Sequence, residues 1–136
     1  MTAVRAAGVD EPPRPTMFSN ARLVGDQLFV SGMHAGDGAG GILGDGSTYD
    51  QARHALLKVQ RLVEAAGGVM DDVVVLRLYL TDVDEKAEVG RARAEFFTGD
   101  FPCSTLVEVS SLVDPRLTVE IEAQAVIGSS GGQARI

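Results

Sequence analysis

The chain has few residues from which a disulfide or a metal site can be built. It contains one cysteine and two histidines, at positions 34 and 54, among 136 residues. A single cysteine cannot form an internal disulfide, and these two histidines lack the spacing of zinc ligands. We therefore expect no structural disulfide and no protein-built metal site.

Long apolar runs and an excess of positive charge are also missing. No 18-residue apolar stretch is present, and no apolar core follows a basic N-terminal segment as in a secretory signal. The expected location is therefore the cytoplasm, with no membrane partner. Nineteen acidic and twelve basic residues give a formal net charge of −7, which repels a phosphate backbone and disfavours nucleic acid as a partner.

The length and composition predict one domain over residues 1–136. Of the 136 residues, 45% are hydrophobic, enough for one compact core. Residues 1–13 contain prolines and no apolar period, so we expect an extended lead-in whose first ten residues are mobile. Residues 128–136 are expected to form a flexible tail.

The apolar patterns predict two helices and at least five strands. Thr48-Tyr49-Asp50-Gln51 has the form of a capping box and begins the first predicted helix, which ends at Gly67. Asp82 or Asp84 caps the second, which runs through Thr98. The predicted strands are 22–24 and 27–31, joined as a hairpin, then 73–80, 104–109 and 118–127.

Residues 36–47 contain six glycines without the Gly-Lys-Ser/Thr ending of a phosphate-binding loop. We interpret this segment as the rim of a cleft, with glycines supplying positive φ angles.

Two helices cover only one face of a sheet, so the other face needs another subunit. Arg77 lies in the apolar strand 73–80, where it serves either a structural ion pair or an anionic ligand.

Two segments resemble the signature of one family. They are Phe101-Pro102-Cys103-Ser104-Thr105-Leu106-Val107-Glu108-Val109 and Val119-Glu120-Ile121-Glu122-Ala123. They are similar to the RidA group, also called YjgF/YER057c/UK114, whose members read Pro-Ala-Arg-(Ser/Thr), then Val-Glu-Val, then Val-Glu-Ile-Glu-Ala. The resemblance implies an α+β, chorismate-mutase-like domain with a mixed five- or six-stranded sheet and two helices on one face. It also implies a homotrimer with clefts between subunits.

The resemblance further implies a small-molecule ligand, no cofactor and no metal. In the deaminating members an arginine holds the substrate carboxylate, and a carboxylate matching Glu120 activates water. Cys103 is assigned here to the position of that arginine, so Glu120 and Cys103 are the candidate catalytic residues. The candidate substrate-binding residues are Phe18, Ser31, Gly32, Met33, Gly90 and Thr105, of which Phe18, Met33 and Gly90 replace more polar residues.

Cys103 has two interpretations. It is either a small buried apolar residue or a cleft thiol with His34 or Glu120 as its base. Arg93, one helical turn from Gly90, is a candidate with Arg77 to replace the missing cation.

Three functions remain open on the sequence. The first is a cofactor-free deaminase or hydrolase of small imines or enamines. The second is a non-catalytic small-molecule binding or regulatory trimer. The third is an endoribonuclease or translation inhibitor, which the acidic charge balance disfavours.

Overall fold

The computed structural model describes residues 2–13 and 17–131, and in them it contains six strands and two α-helices. Short 3₁₀ turns lie at Met70–Asp72 and Val83–Glu85. No helix in these residues is both long enough and apolar enough to cross a membrane. The elements are β1 (Thr2–Val4), β2 (Ala21–Val24), β3 (Gln27–Met33), α1 (Thr48–Ala65), β4 (Val73–Leu80), α2 (Lys86–Arg93), β5 (Cys103–Glu108) and β6 (Val119–Val126).

The strands form one mixed sheet in the order β1-β2-β3-β6-β4-β5. Neighbouring strands are antiparallel except β4 and β5, which are parallel. The chain crosses from β4 to β5 through α2, as a parallel pair requires a long connection. The predicted hairpin is β2 and β3, with Val24 paired to Gln27 across the turn. The prediction of an α+β domain with a mixed sheet and two helices is confirmed.

The core lies between α1, α2 and one face of the sheet. α1 buries residues three and four apart along its sequence, which is the apolar stripe expected of a helix on a sheet. β6 buries every second residue, as strand alternation requires. The buried apolar residues of α1 and β6 are Ala52, Ala55, Leu56, Val59, Leu62, Val63, Val119, Ile121, Ala123 and Ala125.

α1 begins one residue earlier than the capping-box prediction. Ser47 is its N-cap and accepts a hydrogen bond from the Asp50 amide at 3.1 Å. The Thr48 hydroxyl is instead buried and donates to Glu85 Oε1 at 2.5 Å. Thr48 therefore links α1 to the turn before α2 and does not cap its own helix.

The glycine-rich segment after β3 is fastened to the body of the domain. Lys58 Nζ donates to the Gly36 carbonyl at 2.7 Å, and Arg116 Nη2 donates to the Gly40 carbonyl at 2.6 Å. Gly40 has a φ of +90°, as predicted for a glycine in this loop. The buried Gln51 amide donates to the carbonyl of Arg116 at 3.0 Å, which joins the loop before β6 to α1.

α2 is shorter than predicted. It ends at Arg93, and the Phe96 amide then bonds to the Arg93 carbonyl in a 3₁₀-type turn. The chain is drawn away from the helix axis because the Thr98 amide donates to Asp71 Oδ1 at 3.1 Å. The prediction that this helix continues through Thr98 is therefore wrong, although Asp82 does cap the 3₁₀ turn that precedes it.

The N-terminal segment contains a strand that the sequence analysis did not predict. Ala3 pairs with Arg22, which makes Thr2–Val4 the edge strand β1. Val4 and Val9 are buried and join the core.

The start of the predicted tail is held by a buried carboxylate. Asp72 accepts hydrogen bonds from the amides of Val69, Gly128 and Ser130 and from the Ser130 hydroxyl. Residues 132–136 of the predicted tail lie outside the described residues. Residues 128–131 form a turn that these hydrogen bonds tie to the domain.

The second face of the sheet carries no helix within the described residues. Val75, Arg77 and Tyr79 of β4 share this open face, and all three are partly exposed. Within one copy of the chain β4 is buried on one face, because α1 and α2 both lie on the same side of the sheet.

Candidate functional site

Strand pairing arranges the polar side chains of the open face in rows. In each row, directly paired residues of neighbouring strands lie on the same face, with Cβ atoms about 4.5–5.5 Å apart in the antiparallel pairs. β5, β4 and β6 each contribute one residue to a row. The three rows are Val107–Tyr79–Glu120, Thr105–Arg77–Glu122 and Cys103–Val75–Gln124.

Glu120 lies where β3 departs from regular pairing. The register of β3 against β6 shifts between Val30 and Met33. Gly32, inside this bulge, is so close to Glu120 that a Cβ at position 32 would lie 2.0 Å from Oε2. Burial raises the pKa of Glu120, and the negative charge of Glu122 raises it further. Glu120 is thus a half-buried carboxyl group that can exchange a proton closer to neutral pH than an exposed glutamate.

Glu122 forms a hydrogen bond with Tyr79 of β4. The Tyr79 hydroxyl donates a short hydrogen bond to Glu122 Oε1. This hydrogen bond to a carboxylate raises the pKa of Tyr79. Glu122 is therefore the partnered carboxylate of the pair, and Glu120 is the one available to a ligand.

A groove of about 660 Å³ crosses the open face, and of the two glutamates Glu122 lines it. Phe18 and Ser31 line it, as expected for ligand-binding residues, together with Phe29 and Arg77. The Ser31 hydroxyl donates to the Ser19 carbonyl at 2.7 Å, which holds the segment before β2 against β3. The full lining is Met17, Phe18, Ser19, Arg22, Phe29, Val30, Ser31, Arg77, Glu122, Ala123 and Gln124.

Cys103 is exposed at the start of the edge strand β5. The interpretation of a buried apolar thiol is therefore wrong for the chain alone. Cys103 pairs with Val75 and Glu120 pairs with Tyr79. Because those β4 residues are four apart, the thiol and the carboxylate are separated by about 13 Å along the strand within one copy.

His34 is not the base for Cys103 within one copy. It follows β3, three strands from β5 in the sheet, or about 14 Å across. The Nδ1 atom of His34 accepts a hydrogen bond from the Gly36 amide at 3.0 Å. Burial, together with the positive charge of Lys58, lowers the pKa of His34. Among the described residues, no group of three or more His, Cys, Asp or Glu side chains could hold a metal ion.

The other predicted binding residues fall in three different places. Met33 is 6% exposed and belongs to the core, so it does not line the groove. Thr105 is exposed on the open face opposite Arg77. Gly90 lies in α2 on the opposite side of the sheet, where a Cβ would meet no atom within 4 Å. One copy of the chain thus places Phe18 and Ser31 in the groove and Gly32 against Glu120. Gly32 and Glu120 are not among the residues that line the groove, and Gly90 lies on the other side of the sheet.

Comparisons with known proteins agree with this fold. The family model described as Endoribonuclease L-PSP matches residues 9–127. The RutC family protein PH0854 of Pyrococcus horikoshii is 34% identical over 117 residues, which are 85% of this chain and 92% of that protein. The chain belongs to the RidA (YjgF/YER057c/UK114) family.

Two solved structures illustrate the relationship. A protein of unknown function, PA3499 from Pseudomonas aeruginosa, is 43% identical with a TM-score of 0.82, covering 93% of this chain and 92% of that one. E. coli TdcF with bound serine is 26% identical with a TM-score of 0.82, and the match covers 93% of this chain and 98% of TdcF. The RidA fold therefore extends over nearly the whole described chain.

The RidA motif also corrects the assignment of its arginine. Pro102 matches the first residue of Pro-Ala-Arg-(Ser/Thr), and Thr105 matches the fourth. The third residue, the arginine, therefore falls on Ser104, and Cys103 takes the position of the alanine. The assignment of Cys103 to the arginine position is one residue too early.

Ser104 has a partner that the sequence alone did not identify. Arg93 Nη1 donates to Ser104 Oγ at 2.8 Å. Ser104 pairs with the buried Leu76, so it lies on the helix side of β5, where α2 ends at Arg93. A guanidinium therefore lies against the position that the family motif gives to arginine. The spacing of Gly90 and Arg93 on one helical face was the available signal.

Proposed function

We propose that this RidA-family chain is a hydrolase of small imines or enamines that acts in clefts between the subunits of a homotrimer. The observation that carries the proposal is the position of Glu120. Its carboxyl group is half-buried, has a raised pKa and packs against Gly32, whose sequence neighbour Ser31 lines the groove with Phe18. A group with these properties suits general acid–base catalysis near neutral pH.

The reaction needs only water as a second substrate. Glu120 takes a proton from water as the water oxygen bonds to the imine carbon, and the C=N double bond becomes a C–N single bond. The protonated Glu120 then gives this proton to the nitrogen, which forms a neutral carbinolamine. In the second step Glu120 takes the proton of the carbinol hydroxyl and passes it to the nitrogen as the C–N bond breaks. Ammonia leaves, and the carbinol oxygen becomes the carbonyl of the product. The Ser31–Gly32 backbone limits the space beside Glu120 and so orients the water.

The homotrimer is proposed because the open face needs a cover. Phe29 and Val107 are each 41% exposed on this face. Arg77 and Glu122, which line the groove, lie on the side of the sheet opposite Ser104. A small ligand that contacts both Glu120 and Ser104 therefore needs two copies of the chain. TdcF, which binds serine, supports a ligand the size of a small amino acid.

A second candidate is a binding protein without turnover. The observation in its favour is that no arginine occupies the motif position, where Ser104 stands. The family description as an endoribonuclease offers a third candidate, but a net charge of −7 opposes binding of RNA.

The test compares wild type with Glu120→Gln on imines generated in solution by an amino-acid dehydratase, with 2-oxo acid release as the readout. We expect wild type to accelerate hydrolysis and Glu120→Gln to be about 100-fold slower or more. Glu64→Gln, on the exposed side of α1, is the matched control and should keep full activity.

The pH profile provides a second readout. Because Glu120 acts as a base and its pKa is raised, activity should fall with decreasing pH at a value above the ordinary 4.5 of glutamate. Wild type that binds 2-oxo acids without accelerating hydrolysis would favour the binding protein. Cleavage of RNA by wild type and not by Glu120→Gln would favour the endoribonuclease.

A further inference from the structure

His34 forms a hydrogen bond that only the neutral imidazole ring can form. It is the first residue after β3 and is partly exposed. The Gly36 amide donates to its Nδ1 atom at 3.0 Å. Because a backbone amide can only donate, Nδ1 carries a lone pair, and the single ring proton of neutral His34 lies on Nε2. A second proton would occupy Nδ1 and remove this hydrogen bond.

Gly36 begins the loop that this hydrogen bond holds. It forms an antiparallel bridge with Ile42, so that residues 36–42 close a loop, called here loop 36–42. The Gly36 carbonyl accepts from Lys58 Nζ of α1 at 2.7 Å. A Cβ at Gly36 would lie 2.8 Å from Cε1 of His34, so a glycine is needed for the ring to approach. The amide of Gly36 is thus held by His34, and its carbonyl is held by Lys58.

The charged groups that act on His34 come from two other elements. Burial and the positive charge of Lys58 from α1 disfavour the protonated ring, whereas the negative charge of Asp114, between β5 and β6, favours it. Asp114 Oδ2 already lies 2.7 Å from Arg116 Nη2, which reduces its attraction for a protonated ring. The pKa of His34 is consequently held below its usual 6.5.

We propose that His34 makes loop 36–42 dependent on pH: the neutral ring holds Gly36, and a proton on Nδ1 releases it. Because the folded chain favours the neutral ring, this stabilisation is fully present above the unfolded-state pKa of about 6.5. It is lost as the pH falls through the lower folded-state pKa. His34 lies two residues after Gly32, which packs against Glu120, so the release removes a restraint on the backbone beside this carboxyl group. The inference does not rest on the proposed function.

Asp37, in the same loop, does not account for such a change. Its side chain accepts hydrogen bonds from the amides of Ala39 and Gly41 at 2.7 and 2.9 Å. These bonds hold the pKa of Asp37 below its usual value, so Asp37 stays ionised where His34 takes up its proton. A loss of order in the loop that begins just below about pH 6.5 is therefore assigned to His34.

The experiment measures hydrogen exchange of the Gly36 amide by NMR between about pH 8 and pH 4.5. The quantity compared is the protection factor, which is corrected for the intrinsic pH dependence of exchange. In wild type it should fall about 2- to 10-fold in acid, as the loss of one hydrogen bond implies. His34→Asn should keep the protection at both pH values, because an asparagine oxygen accepts from the amide two residues later and does not titrate. His34→Ala should show low protection at both.

His54→Asn is the matched control. His54 is the other histidine of the chain and lies on α1, with its Nε2 3.7 Å from Asp50 Oδ2. Its replacement should leave the pH dependence of Gly36 unchanged and make the ring ¹⁵N signals those of His34 alone. These signals should show an unprotonated Nδ1 at neutral pH and a titration midpoint below 6.5.

Three results would overturn the proposal. The first is a wild-type protection factor of Gly36 that does not change with pH. The second is an equal fall in His34→Asn, which would assign the change to other groups. The third is a neutral His34 ring that carries its proton on Nδ1.

Discussion

Gly32 provides the space that the Glu120 side chain occupies. A Cβ at position 32 would lie 2.0 Å from Oε2, 2.7 Å from Cδ and 2.9 Å from Cγ of Glu120. The φ angle of Gly32 is not positive, so the backbone itself tolerates a side chain there. The glycine is therefore needed for the position of one carboxyl group and not for a turn conformation.

Gly32→Ala should therefore impair catalysis more than stability. The methyl group forces the whole Glu120 side chain to move by more than 1 Å, and a displacement of that size costs about 100-fold in rate. The free energy of unfolding should change by less than about 1 kcal/mol, because a partly exposed side chain can rotate away. Steady-state kinetics and urea denaturation provide the two measurements.

Gly99→Ala is the control for this substitution, since a Cβ at Gly99 meets nothing within 4 Å and its φ is not positive. It should leave both quantities unchanged. Unaltered turnover in Gly32→Ala would show that the observed position of Glu120 does not matter for the reaction.

Asp72→Ala should destabilise the domain by about 2–4 kcal/mol, because several buried donors lose their charged acceptor together. Burial alone would raise the pKa of Asp72, but the hydrogen bonds from Ser130, Gly128 and Val69 outweigh it and hold the pKa below its usual value. Its stabilising effect is thus fully present above the unfolded-state pKa of about 3.9 and is lost as the pH falls through the lower folded-state pKa.

Urea denaturation of Asp72→Ala and wild type between pH 7 and pH 2 measures both effects. The difference between the two proteins should be largest at neutral pH and should shrink in acid. Asp100→Ala, which removes an exposed carboxylate, should cost little at any pH. A constant difference across the whole pH range would contradict the assigned role of the ionised carboxylate.

Local patterns were sufficient to predict most of the fold. The apolar patterns predicted the β2–β3 hairpin and the bounds of β4, and the capping motif predicted the start of α1 to within one residue. The errors come from contacts between residues distant in sequence, which periodicity does not reveal. α2 ends early because the Thr98 amide donates a hydrogen bond to Asp71. β1 forms because Ala3 pairs with Arg22, which lies nineteen residues later in the chain.

The candidate site was less predictable, because it depends on pairing between distant strands. The sequence predicts that Glu120 and Cys103 lie in two different strands. Only the pairing of both strands with β4 shows that the two residues are separated by about 13 Å along the strands within one copy. The contact of Arg93 with Ser104 likewise joins a helix to a strand. It follows from where α2 ends, which the pattern did not determine.

Phe29→Lys should dissociate the proposed homotrimer. Phe29 is 41% exposed on the open face and is paired in register with Arg22 on β2 and Gln124 on β6. The assembly would therefore have to bury a second cation beside Arg22. Light scattering should give three times the 14.3 kDa chain mass for wild type and one chain for the variant. Val113→Lys, at an 81% exposed valine outside the sheet, should remain trimeric. A wild type that is monomeric at micromolar concentration would remove the basis for the cleft.

Iodoacetamide should alkylate Cys103 in the folded protein without denaturant. The residue is exposed on the edge strand β5 and lines a groove of about 390 Å³ with Phe101 and Val74. Mass spectrometry after timed quenching measures the rate, and Cys103→Ser should give no adduct because the chain has no other cysteine. Adduct formation only after unfolding would mean that the assembly buries the thiol.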